Sequence, residues 1–376
     1  MTGDRPAERK NREDTMMTEQ DPPGGDGVVL VAGAHGVTGG AIVRALVESG
    51  GRVATIARRG PVGPPDGPPV DDHLQVDLLD AAAIRGALAG RSDITAVVYA
   101  AYVERETMAA AVGPNVAMLR NLLDAVHASP SRLRHVVLIG GGKSYGEHLG
   151  GYKTPAKESD PRFLGPIFYN DQEDLLYADA ERAGYTWTVL RPDAVIGPSL
   201  GSPMNMLTGL AVYACVCRHL GVPLRFPGSP AAWGALHQAT DARILARAVI
   251  WALRSAAARN EVFNVTNGDN FRWRHLWPEI ADFFGMPTAP PQPMSLAEHM
   301  ADKGPVWDAI VREHGLRPVP FAQIASWPFV DGWFATGDDM VQSTIKIRQA
   351  GFGDCIDTHV SFLDNFAMLR DLSLIP

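Results

Sequence analysis

At 376 residues, 46% hydrophobic and 20% charged, the chain can bury a large core and exceeds one compact domain, so one large unit carrying a smaller interleaved one is expected. A net charge of −8 and a pI near 5.8 offer no attraction to nucleic acid or to an anionic membrane surface. The three cysteines cannot build a disulfide framework, Cys215 and Cys217 fall on different sides of a predicted helix, and a reducing cytoplasm is the expected setting.

Residues 1–26 mix charge with Pro and Gly and hold no apolar run, so they read as a disordered tail rather than a signal peptide or anchor. No later segment has the roughly 18 to 20 consecutive apolar residues of a membrane span. No CxxC pair or clustered His/Cys spacing suggests zinc, and no metal is expected.

From Gly27 short β-branched runs alternate with helical periods, the pattern of βαβ units feeding a parallel sheet. The runs are GVVLVAG to Gly33, RVATIARR to Arg59, HLQVDLLD to Asp80, ITAVVYAAY to Tyr102, LRHVVLIGGG to Gly142 and YTWTVLRPDAVIG to Gly197. Helical stretches with apolar residues three and four apart lie between them, and a Pro/Gly-rich loop spans Gly60 to Asp72. After Ser199 the rhythm breaks and helices dominate, with short strands such as LRFPG and EVFNVTN. The expected fold is therefore α/β: a Rossmann doubly wound parallel sheet over 27–199, then a smaller, mostly helical substrate-binding or lid region over 200–376, partly interleaved with it.

Gly33-Ala34-His35-Gly36-Val37-Thr38-Gly39 follows a predicted strand and opens a predicted helix, as a dinucleotide fingerprint requires. Gly33, Gly36 and Gly39 permit a tight turn and close backbone approach, so a pyrophosphate can sit where free amides and the helix dipole favour negative charge. The second strand ends in Ala57-Arg58-Arg59, where an NAD site usually carries an acid, and two guanidiniums favour the 2′-phosphate of NADP(H). Asp77 and Leu78 end the third strand, at the place of an adenine contact, although an Asp there also serves as a helix cap.

With these motifs in order, the chain from Gly27 to Pro376 resembles the progesterone 5β-reductase/iridoid synthase-like family of short-chain dehydrogenases. The most specific pieces are GGGKSYG (140–146), FYNDQEDLL (168–176), TWTVLRP (186–192), FPGSPAAW (226–233), FNVTNGDNFRWRHLW (263–277) and the KIRQAGF region. The resemblance implies an NADPH-dependent reductase of an activated carbon–carbon double bond in a small hydrophobic carbonyl compound. It implies Lys143 as the positive charge beside the developing oxyanion. It also implies that His35, Gly36 and Val37 contact phosphate, that Ala101 and Val195 line the nicotinamide side, that Ser202, Pro203 and Met204 touch the cofactor, and that Tyr102 is a pocket aromatic. Met206, Tyr213 and Trp333 are candidate lid residues, and apolar residues at such spacing also serve as plain core.

The departure lies in FYNDQED, where the family reads FYYxxED and its second tyrosine donates a hydroxyl to the substrate oxygen. Alignment on QED puts Asn170 in that slot and Tyr169 one residue before it, a rotation of about 100° on a helix. An Asn amide can donate a hydrogen bond to an enolate but cannot supply a proton. The expected function is therefore conjugate reduction. A redox-neutral cyclase or isomerase, a ketoreductase and a non-catalytic NADP-binding regulator stand beside it, and whether the chain forms a homodimer stays open.

Overall fold

The computed structural model describes residues 27–61, 67–70, 72–202 and 204–376; the expected tail and Pro203 lie outside them. Six strands, β1 (Val28–Ala32), β2 (Arg52–Ala57), β3 (His73–Gln75), β4 (Ile94–Tyr99), β5 (His135–Ile139) and β6 (Thr186–Pro192), join a later strand, Glu261–Val265, in one parallel sheet. The order across it is Glu261–Val265, β6, β5, β4, β1, β2, β3. Every residue of β1 and β4 is buried, as expected of central strands covered on both faces. The winding direction reverses between β1 and β4, and a crevice opens there at the carboxyl ends of the strands.

Helix α1 (Val37–Glu48) packs Ile42, Val43 and Leu46 on one face beside Ile244, Leu245 and Val249 of the helix Ala242–Arg254. The other face is covered by α2 (Ala81–Leu88), α3 (Met108–Ala128) and α4 (Phe168–Ala183), through residues such as Leu88, Leu119, Leu122 and Leu176. A third core lies beyond residue 196, where Phe226, Trp273, Trp277, Phe334 and Phe362 pack edge to face or tilted around one another. Two elements from beyond residue 200, the helix Ala242–Arg254 and the strand Glu261–Val265, return to the sheet.

Two runs stop sooner than their composition suggests. The third strand ends at Gln75, because Asp77 Oδ1 accepts from Leu79 N at 2.9 Å in a turn and Asp80 caps α2. The run to Gly197 breaks after Pro192: Asp193 N donates to Thr240 Oγ1 at 3.1 Å, and Val195–Ile196 pairs instead with Thr240–Asp241.

Candidate active site

A cavity of about 1100 Å³ fills the crevice. Its floor is the loop from β1 to α1. Gly33 has φ +90°, and a Cβ there would stand 2.5 Å from the Ala100 carbonyl oxygen, so only glycine fits this close strand crossing. Gly36 caps α1 with no side chain accepting from the first amides, and the first turn holds no acid, so the helix terminus presents its donors to the cavity. His35, Gly36 and Val37 line it. Gly39 does not: a Cβ there would lie 2.1 Å from the Gly33 carbonyl oxygen, so this glycine serves the packing of helix on loop, a correction to its place among ligand contacts. With an uncapped helix terminus at a cavity of this volume, the residues fit a dinucleotide.

Arg58 and Arg59 line the same cavity at the end of β2. Arg59 donates to His35 O at 3.3 Å and to Leu200 O at 3.4 Å, which ties the glycine loop to the loop after β6. Asp77, Leu78, Ala101, Tyr102, Val195, Ser202 and Met204 also border the space. Tyr102 stacks on Phe168 with ring centroids 5.3 Å apart. The Asn115 side chain holds this loop through Val103, accepting from its N at 2.9 Å and donating to its O at 2.8 Å.

Lys143 sits on a 3-10 turn, Gly142–Tyr145, directly after β5, and borders the cavity. Burial lowers its ammonium pKa below the usual lysine range, opposed by the charges of Glu147 and Glu104. Tyr169, in the first turn of α4, lines the cavity as well, and burial raises its phenol pKa. A Cβ on Gly141 would stand 2.9 Å from Tyr169 Cε2 and 3.2 Å from its hydroxyl oxygen, so this glycine clears room for the ring two residues from Lys143.

The rotation of α4 is set one turn later. Glu173, fully buried, accepts from Arg191 Nε at 2.8 Å and Nη2 at 2.6 Å, while Arg191 Nη1 donates to the Tyr145 hydroxyl at 3.0 Å. Residues i and i+4 share a helix face, so fixing Glu173 against β6 brings Tyr169 to the cavity. Asn170 is turned away: its amide donates to the Phe163 carbonyl at a long 3.5 Å, and it does not border the cavity. The expectation that Asn170 fills the tyrosine slot is corrected accordingly, and Tyr169 stands in the cavity instead.

A family model described as a PRISE-like Rossmann-fold domain matches residues 29–328. The chain belongs to this family. It is 35% identical to an (S)-8-oxocitronellyl enol synthase of Camptotheca acuminata over 93% of each chain. It is 33% identical to a 3-oxo-Δ4,5-steroid 5β-reductase of Arabidopsis thaliana, covering 93% of this chain and 94% of that one. In fold it is similar to the UDP-glucose 4-epimerase of Thermotoga maritima, with a TM-score of 0.67 and 16% identity over 92% of this chain and 99% of the other.

Several residues bordering this PRISE-like cavity carry no motif that reveals them. Glu147 and His148 follow Lys143, Asp193 follows Pro192, and Phe329, Trp333 and Met340 come from the region beyond residue 200. A charge inside the apolar run LRPDAVIG is the one signal that singles out Asp193. Of the candidate lid residues, Trp333 lines the cavity, whereas Met206 and Tyr213 are core; the Tyr213 hydroxyl donates to Arg225 O at 3.0 Å. Among the described residues no helix is long and apolar enough to cross a membrane, and no group of three His, Cys, Asp or Glu is placed to hold a metal.

Proposed function

We propose that the chain is an NADP(H)-dependent reductase of an activated carbon–carbon double bond in a small hydrophobic enone or enal. The observation that carries this reading is that Tyr169 and Lys143 border one cavity together with the aromatic side chains of Tyr102, Phe168, Phe329 and Trp333. When bound, the reduced nicotinamide supplies the hydride. The glycine loop and the α1 terminus would hold the diphosphate through amides other than that of Gly36, which donates to Gly33 O at 3.0 Å; Arg58 and Arg59 would hold the 2′-phosphate, Asp77 and Leu78 the adenine end, and Ala101, Val195, Ser202 and Met204 the nicotinamide end. In this arrangement residues 27–199 chiefly bind cofactor and residues 200–376 chiefly close over substrate, and the three free cysteines suit a reducing cytoplasm.

Addition of hydride to the β-carbon drives negative charge onto the carbonyl oxygen. The Tyr169 hydroxyl and the Lys143 ammonium donate to that oxygen and stabilise it, in a space where aromatic side chains exclude water and so strengthen each hydrogen bond. A phenol whose pKa is raised keeps its proton and serves as a donor rather than a base.

The test is NADPH oxidation, followed by absorbance, with a cyclic enone, a linear enal and their saturated counterparts. Oxidation is expected with the unsaturated compounds alone. NADPH that binds but is consumed with none of them would overturn the reading.

A further inference from the structure

The Lys143 end of the cavity holds two carboxyl groups that the reading above does not use. Glu147 is 7% exposed and Asp193 is 5% exposed, and both border the cavity. Asp193 Oδ1 accepts from Ala194 N at 2.7 Å, but Asp193 Oδ2 and Glu147 Oε2 have no hydrogen-bond partner of proper geometry among the described residues. The Tyr152 hydroxyl and the Gln342 amide likewise make no hydrogen bond of proper geometry among the described residues, although the Gln342 amide lies beside Glu147 and tempers the rise of its pKa. A buried oxygen left without a partner is costly, more so when charged, so a cluster of them calls for a proton or a ligand.

Backbone geometry makes deliberate room for this cluster. A Cβ on Gly142 would stand 2.0 Å from Glu147 Oε2 and 2.3 Å from Gln342 Nε2, so the third glycine of GGGK clears the carboxyl and the amide just as Gly141 clears Tyr169. Gly146, at φ +87°, turns the chain between the Lys143 turn and the short 3-10 turn that begins at Glu147.

Resting on the enone-reductase reading, we propose that Glu147 and Asp193 form a buried acid pair. The pair holds one proton beside Lys143 and delivers it to the substrate α-carbon, so the product leaves as a saturated carbonyl compound of one α-configuration. In the complete step a hydride, which a bound reduced nicotinamide would supply and so be oxidised, adds to the β-carbon. The carbon–carbon double bond becomes an enolate, and the enolate takes the proton from the pair. The carbonyl reforms, and water returns a proton to the carboxylates.

The surroundings favour one shared proton. Burial raises both carboxyl pKa values, and the charge of Asp193 raises that of Glu147 further, while Lys143 opposes the rise. The other titratable groups that feel the pair or its lysine are His148 on the same turn, Tyr152 on the following loop, Tyr169 on α4 and Glu104 after β4. Two like charges in one dry pocket cannot both persist, whereas one carboxylate beside the Lys143 ammonium can.

Two measurements on the full chain decide it. The first uses NADPH and 2-methyl-2-cyclohexen-1-one, whose product acquires its stereocentre at the α-carbon. The wild type should give a clear excess of one enantiomer of 2-methylcyclohexanone, and the ketone that still forms with Glu147→Gln or Asp193→Asn should be nearly racemic, as when a released enol takes its proton from water. An unchanged excess in both variants, or a racemic product from the wild type, overturns the acid pair and leaves the reductase standing. The second needs no turnover: the cofactor-free protein at neutral pH should show a protonated-carboxyl infrared band that shifts in D2O and is lost in both variants. Absence of that band from the wild type overturns the pair even if no enone oxidises NADPH, an outcome that overturns the reductase reading separately.

Discussion

The first turn of α4 can present Tyr169 or Asn170 to the cavity but not both, because one residue is a rotation of about 100°. Glu173 shares its face with Tyr169 and is held by Arg191 at 2.6 and 2.8 Å, which settles the choice in favour of the phenol. Tyr169→Phe should therefore lower turnover of an enone by about 10²-fold, the scale of removing one oxyanion donor, with NADPH affinity little changed. Asn170→Ala should stay within a few-fold of wild type, and steady-state kinetics that rank the two variants the other way would return the role to Asn170. The Lys143 ammonium has its pKa lowered by burial. Its protonated form is thus lost as pH rises through a value below the ordinary lysine range, and turnover should fall on that alkaline limb. A profile that stays flat up to the usual lysine pKa, or a limb that persists in Lys143→Met, would show that another group is responsible.

At the scale of elements, α4 is fixed to β6 by one buried charge cluster rather than by apolar packing alone. Glu173 has no exposed side-chain surface and Arg191 only 3%, and Arg162 Nη2 adds a third contact at 2.8 Å. Removing one member leaves an uncompensated buried charge, so Glu173→Gln should destabilise the fold by about 3–5 kcal/mol in chemical denaturation. It should also free the helix start, so that kcat falls even where the protein remains folded; a variant that loses stability but keeps kcat would show that α4 holds its rotation without the pair. The same cluster explains what the sequence discloses. The glycine loop and Arg58-Arg59 are legible because both depend on local spacing at the end of a strand, where a helix terminus and a charge pair announce their chemistry within a few residues. The orientation of Tyr169 depends on Arg191, distant in sequence, and the cavity for Glu147 depends on Gln342, more distant still, so neither spacing nor periodicity exposes them. Met206 and Tyr213 look like lid residues for the converse reason: an apolar stripe is identical whether it faces a ligand or a core.

Across the whole molecule the cofactor cleft is a seam between the sheet and the region that returns over it, and Arg59 bridges the two sides. Its guanidinium donates to His35 O at 3.3 Å on the glycine loop and to Leu200 O at 3.4 Å on the loop after β6. Both distances are long for such bonds and the side chain is exposed, so the bridge alone contributes little to stability. A ligand 2′-phosphate changes that balance, because charge-assisted bonds to an anion are shorter and stronger than bonds to neutral carbonyls. Arg58, beside it on the same rim, adds a second charge without the bridging contacts seen for Arg59. The wild type should therefore bind NADPH more tightly than NADH, and the double substitution Arg58→Ala/Arg59→Ala should shrink that preference by roughly 10- to 100-fold, the scale of one or two hydrogen bonds to a charged group. The preference should also weaken as salt is raised, since the rim is open to solvent and its charges are screened. Fluorescence titrations of wild type and variant with both cofactors, at low and high ionic strength, measure all of this together. Equal affinities in the wild type, or a preference that survives removal of both arginines, would place 2′-phosphate recognition elsewhere on the cleft.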